Sequence, residues 1–198
     1  MSDRKRKYEK KARAEAEAQT RRRITESAVE LHGSLGPAHT SMSAVAEHAG
    51  VRRSTLYRHF PDERALFGAC SAHWAGENPP PDIGLWAAIA DPAARLEAAL
   101  SDLYAYYGRT EGMMSKLLRD AQTVEVVGEL MGAYRALLEQ AVEILVEGRG
   151  LRGNAAKRTR AAIGHALSFG TWQDLTRIQG LGDRRAIELM GRLVAAAG

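Results

Sequence analysis

Cysteine is almost missing: Cys70 stands alone in 198 residues, so no disulfide can close within the chain. That excludes a disulfide-stapled scaffold and suits a reducing compartment. Long apolar runs are missing too. The longest, Leu85 to Ala90, falls far short of the roughly 20 residues that span a bilayer. The charged amino terminus has no apolar stretch behind it, so no secretory leader is expected. These absences point to a cytoplasmic protein without a membrane partner. No alternating β-branched run and no repeat occurs, so the fold class expected is all-α. Catalytic signatures are lacking as well: no glycine-rich phosphate loop and no Gly-x-Ser-x-Gly elbow. Histidines 32, 39, 48, 59 and 73 are spaced by 7, 9, 11 and 14, none of them the i, i+4 pair of a helical metal site. No metal, no cofactor and no enzymatic activity are expected.

What is present is an uneven charge. Residues 1–75 hold 14 Lys and Arg against 9 Asp and Glu, whereas residues 76–198 hold 14 against 15. A basic module joined to a neutral one implies an anionic partner for the first and another task for the second. Ten of the basic residues fall within 1–23. Tyr8 to Gln19 is mostly Lys, Arg, Glu and Ala, all good helix formers, but it has no apolar stripe. Residues 1–22 are therefore expected as a frayed or disordered basic arm, either solubilising or adding phosphate contacts.

From Ile24 the pattern changes. Ile24, Ala28, Leu31 and Leu35 recur at helical spacing, and Gly36-Pro37 ends that helix. Thr40 or Ser41 caps a short helix over about 42–49, and Gly50 breaks it. A third helix covers about 53–59. Pro61-Asp62 opens a fourth that carries Leu66, Phe67, Cys70 and Trp74 inward. Pro79-Pro80-Pro81 cannot lie inside a helix, which puts the domain boundary near residues 76 and 77. Beyond it, helices are expected over about 92–108, 111–120, 124–147, 155–178 and 183–196, the last two capped by Asn154 and Asp183.

Residues 40–67 have the physics of a helix-turn-helix. Two short helices cross closely, and Ala46 is small enough for the crossing. Gly50 tolerates the turn. Val45, Ala49, Val51 and Leu56 seal the shared core. The second helix then projects Arg53, Ser54, Thr55, Tyr57, Arg58 and His59. Such a helix fits a major groove about 12 Å wide, its first residues at base edges.

The string Ala-Gly-Val-x-x-Ser-Thr-Leu-Tyr-Arg-His-Phe-Pro-Asp, residues 49–62, resembles the DNA-binding domain of the TetR family of bacterial transcriptional regulators. The resemblance spans about Ile24 to Leu66. It implies a homodimeric, ligand-responsive repressor that binds a palindromic duplex operator. It assigns Thr40 and Ser41 to phosphate and Ser43 to the groove. Arg53, Ser54 and Thr55 open the recognition helix, and Tyr57 and His59 match positions that usually hold phosphate. Arg53 reads guanine or clamps a phosphate, and Arg52 contacts the backbone or stays in solvent. Where the family often has a lysine, this chain has Glu63 followed by Arg64, so either Arg64 takes that role or the contact is missing.

In the second domain, residues 77–198, the resemblance implies effector binding and dimerisation. Tyr104, Tyr107, Met114, Tyr134, Phe169 and Gln173 are the expected lining for an apolar or aromatic small molecule not identified by the sequence, with His165 and Asp174 as orienting groups. Ala161, Ala162, Gly164, Ala166 and Gly170 allow close helix approach. Around them Ile163, Leu167, Leu175, Ile187, Met190, Leu193 and Val194 are the expected four-helix dimer interface. The rival expectation is a DNA-binding dimer with no effector. A small helical enzyme with a basic arm is a remoter one.

Overall fold

A computed structural model describes residues 2–198, with side chains from Arg6 onward, so Arg4 and Lys5 of the expected arm lie outside the described side chains. Helices and turns make up its regular structure, with no strand among the described residues. Two compact units emerge: residues up to 79 with 112–129, and residues 80–111 with 130–198.

The first unit opens with α1, Ser2–Ser34. The expected frayed arm is instead continuous with the helix that follows it. Its exposed half is supported by i, i+4 ion pairs, Lys11 with Glu15 at 3.8 Å, Arg13 with Glu17 at 3.6 Å and Arg22 with Glu26 at 2.7 Å. Only from Ile24 onward does α1 bury a face. Ile24 and Ala28 are sealed from solvent, but Leu35 is 48 % exposed. The helix has already ended at Ser34, and Gly36, at φ +94°, turns the chain away.

That turn is held by the last residues of α6, Pro92–Asp120. The Asp120 carboxylate accepts from the Ala38 N–H at 3.0 Å, and Arg119 donates to the Leu35 carbonyl at 3.3 Å. A Cβ on Gly36 would collide with the Arg119 guanidinium and come within 2.6 Å of the Asp120 carboxylate. The adjoining Arg119 guanidinium holds the Asp120 carboxyl below its usual range. After a 3₁₀ turn at Pro37–His39 come α2, Met42–His48, α3, Arg53–His59, and α4, Glu63–Glu77. Asp62 caps α4 by accepting from the Ala65 N–H. Leu66, Phe67 and Cys70 of α4 are buried, and α4 packs on α1. The His32 ring lies tilted against Phe67, centroids 5.0 Å apart, with its Nδ1 3.5 Å from the Cys70 sulfur.

In the second unit a short helix that the sequence did not announce, α5, Ile83–Ala87, is capped by Asp82 and buries Trp86. The two helices expected within 92–120 are one, α6. Gly108 and Gly112 do not interrupt it, since no proline intervenes and a lone glycine costs a helix only about 1 kcal/mol. α7, Glu125–Val146, follows. Its carboxyl end is capped by the buried Arg95, which donates to the Ile144 and Glu147 carbonyls. This places a cation at the negative pole of the helix.

The helix expected to run to Ile178 stops early. α8 is Gly153–Ala166 with Arg152 at its N-cap, not Asn154. Ser168 then caps α9, Phe169–Gln173, by accepting from the Thr171 N–H, and a π turn covers Asp174–Ile178. A serine offering its own acceptor competes with the helix ladder at that point. α10 is Asp183–Ala197, capped at Gly182. Asp183 accepts instead from the Trp172 indole N–H at 3.2 Å. No described helix is long and apolar enough to cross a membrane.

Candidate nucleic-acid interface

The helix-turn-helix is built from α2 and α3. Ser41 caps α2, its side chain accepting from the Ala44 N–H at 3.2 Å. Gly50, at φ +62°, makes the turn, and the Val51 N–H returns to the Ala46 carbonyl at 2.9 Å. Val45, Ala46, Ala49, Leu56 and Phe60 are buried, whereas Val51 is only half-buried. Burying Leu56 on the inner face fixes which residues of α3 look outward.

Those are Arg53, Ser54, Tyr57 and Arg58, with Arg52 just before them, all exposed; Thr55 and His59 are half-buried. Tyr57 is 41 % exposed, a large aromatic left in solvent. The Arg53 guanidinium lies 6.0 Å from the Tyr57 ring centroid. Among the described residues, no hydrogen bond or ion pair engages the side chains of Arg52, Arg53, Ser54 or Tyr57. The row is thus cationic, rich in donors and unpaired, which is what reading phosphates and base edges requires.

The other expected contacts are placed less uniformly. Ser41 is exposed and Ser43 half-buried. The Thr40 hydroxyl donates to the Gly36 carbonyl at 2.8 Å, so its proton is already used. Arg64 forms a two-pronged pair with Glu129, the Nη2–Oε1 arm at 3.0 Å and the Nη1–Oε2 arm closer still. The guanidinium holds the Glu129 carboxyl below its usual range. Arg64 therefore stands matched to a carboxylate, unlike Arg53. His59 has its Nε2 shut from solvent without a partner, and desolvation first, then Arg58 and Arg21, depress its basicity. Arg21, absent from the expected contacts, donates to the His59 carbonyl at 2.7 Å and lies 4.1 Å over the Phe60 ring. Only its place in a basic run marked it.

The expected effector residues fall unevenly. Tyr104, Tyr107, Tyr134 and Phe169 meet in the second unit. The Tyr107 hydroxyl bonds the Tyr134 hydroxyl and the Leu167 carbonyl, each at 2.6 Å, and Tyr104 donates to the Ala166 carbonyl at 3.0 Å. Phe169 meets Tyr107 edge-on at 5.3 Å. Burial pushes the Tyr134 phenol up to about 12 and the Tyr104 and Tyr107 phenols up as well. Gln173 is half-buried on α9. Met114 belongs to the first unit, where it is buried. Of the orienting groups, His165 lies near the Thr171 hydroxyl at 3.3 Å, and Asp174 is exposed.

The expected dimer residues divide by burial. Ile163, Leu167, Met190 and Val194 are core of their own unit. Ile163 on α8 and Met190 and Val194 on α10 are buried where these two helices pack, and Leu167 follows at the end of α8. Leu175 and Ile187 are half-buried, and Leu193 is 50 % exposed. No cluster of three or more potential metal ligands occurs among the described residues.

The sequence profile of the bacterial regulatory proteins of the tetR family matches residues 24–70. No curated protein matches the chain. Solved structures do. A TetR-like transcriptional regulator from Rhodococcus sp. RHA1 is 20 % identical, with a TM-score of 0.65, over 90 % of this chain and 96 % of that one. A TetR transcription regulator from Haloarcula marismortui is 13 % identical, with a TM-score of 0.59, over 91 % and 96 %. A protein from Saccharomonospora viridis assigned as a transcriptional regulator, solved in complex with choline, is 17 % identical, with a TM-score of 0.59, over 90 % and 96 %. Residues 24–70 thus match the tetR-family profile, and the chain shares the fold of these solved structures over about nine-tenths of its length.

Proposed function

We propose that the chain is a homodimeric transcriptional regulator that inserts α3 into the DNA major groove and leaves its operator when a small molecule binds the second unit. The observation that carries the first part is the unpaired outer row of α3, with Leu56 locked behind it. Arg53 offers a forked donor to guanine or to a phosphate, Ser54 and Thr55 reach neighbouring edges, and the Tyr57 hydroxyl takes a phosphate while its ring steadies Arg53. Two such helices in a two-fold dimer meet half-sites about one turn apart. The pairing surface in this reading is formed by Leu193 and Ile187 of α10 together with Leu175, the expected interface residues that are not fully buried.

Effector binding would act by preferring one of two states of the dimer. A preference of a few kcal/mol releases DNA. Tyr134 and Gln173, both half-buried, are the members of the expected lining nearest to solvent. A bound small molecule in the Saccharomonospora viridis protein supports this reading by analogy of fold alone. One observation favours a second reading, a DNA-binding dimer without effector: the Tyr107 hydroxyl is already consumed by two partners.

The test is selection from a random duplex library by the full chain. An enriched inverted repeat supports the dimeric reader. Failure to enrich any sequence would overturn it. Screening small molecules for release of the enriched duplex then separates the two readings of the second unit.

A further inference from the structure

Between Arg6 and Gln19, α1 buries no face of its own. Every residue from Arg6 to Gln19 is exposed, and a helix polar on all sides is held by its own ion pairs or by a partner. Residues 1–23 carry ten Lys and Arg against four acids. This segment is not a loose tail, however. The Arg21 bond to the His59 carbonyl and its stacking on Phe60 fasten α1 to the carboxyl end of α3. Just beyond that fastening, Arg13, Ala16, Glu17 and Thr20 of α1 and Arg58 and His59 of α3 enclose an open hollow of about 320 Å³. Two guanidinium groups line it, together with an imidazole whose Nε2 has no partner. Glu17 lines it too, 3.6 Å from Arg13.

We propose that this hollow seats a backbone phosphate of duplex DNA between Arg13 and Arg58, and that the exposed half of α1 follows the same duplex as a second, sequence-independent contact surface. The proposal rests on the regulator reading, because Arg58 and His59 belong to the helix assigned there to the groove. Arg58 lies five residues past Arg53, about 7.5 Å along the helix axis. A phosphate there flanks the bases that Arg53 would meet. Guanidinium forks suit phosphate oxygens, and Arg13 and Arg58 supply them from the two sides of the hollow. Glu17 opposes the phosphate by holding Arg13. The segment lacks the apolar face that a membrane surface would need.

The full chain is titrated with its enriched duplex and with an unrelated duplex across a salt series. In Lys10→Ala/Lys11→Ala/Arg13→Ala the log–log salt slope is expected to fall by roughly 0.9 for each lost contact, on both duplexes alike. Alanine favours helix, and circular dichroism checks that α1 persists. Glu17→Gln is expected to tighten both complexes several-fold by freeing Arg13. Unchanged slopes and affinities in these variants, while Arg53→Ala still removes selectivity, would overturn the arm contact and leave the regulator reading standing. Unchanged slopes together with binding to anionic vesicles would overturn it in favour of a membrane surface. A wild-type chain that binds no duplex would overturn both.

Discussion

Tyr57 in the first unit and Tyr107 in the second carry the same phenol to opposite ends. Tyr57 stands in solvent beside Arg53, with no hydrogen bond. Tyr107 is sealed in, its hydroxyl bonded to the Leu167 carbonyl and to Tyr134, with Trp172 and Phe169 against its ring. The contrast extends through both units. The helix-turn-helix turns apolar residues such as Leu56 and Phe60 inward and keeps the donors of Arg53 and Tyr57 outside, whereas the second unit draws Tyr104 and Tyr107 inside and satisfies their hydroxyls there. A donor left unpaired on a well-packed helix is available to a partner, while a donor consumed by a buried carbonyl is part of the fold.

Breaking the packing behind α3 should have the largest effect. Leu56→Ala empties a fully buried site and is expected to cost about 2–5 kcal/mol in a urea titration, with DNA binding lost along with the fold. A cost below about 1 kcal/mol would mean that α3 is not fixed by its inner face.

Acid should separate the two units next. Desolvation holds His32 at about 4, against about 6.5 in an unfolded chain. Above pH 6.5 both states are neutral there. As pH falls from 6.5 towards 4, the unfolded chain takes up a proton that the folded one refuses. Stability should drop by on the order of 3 kcal/mol over that window. His32→Leu should flatten this limb in the first unit. An unchanged limb in that variant would contradict the assignment.

Tyr107→Phe sharpens the contrast from the other side. It removes a hydroxyl with two partners and should cost about 1–3 kcal/mol of stability, leaving the affinity for DNA unchanged. Undiminished stability with altered DNA affinity would mean that the phenol serves regulation rather than the core.

The helix-turn-helix was legible in the sequence because its signals are local. Gly50 must turn with positive φ, and α3 over 53–59 follows from the residues that flank it. The second unit was less legible for physical reasons. Helical periodicity marks an apolar face but not what covers it. Ile163 beside α8's own small residues, and Met190 and Val194 on α10, show the same stripes whether α8 and α10 meet each other or a second chain. The break after Ala166 turns on one serine capping α9, and single polar residues give weak signals. The Arg119–Asp120 hold on the Gly36 turn joins positions more than 80 residues apart, which no local pattern reveals. For Arg64 the sequence left open a phosphate contact or none, and its partner Glu129, 65 residues on, lay beyond any local pattern.

Fluorescence anisotropy of the wild-type chain, Arg53→Ala and Tyr57→Ala tests the central claim most directly. Each is titrated with the duplex upstream of the protein's own gene and with an unrelated duplex, across a salt series. The enriched operator is substituted if it lies elsewhere. The wild type should bind selectively and weaken steeply with salt, and Arg53→Ala should lose about 1–3 kcal/mol of discrimination. Both variants should unfold within about 0.5 kcal/mol of wild type, being surface changes. A folded wild-type chain that binds no duplex at low salt, or variants that bind as it does, would contradict the assignment of α3 to DNA.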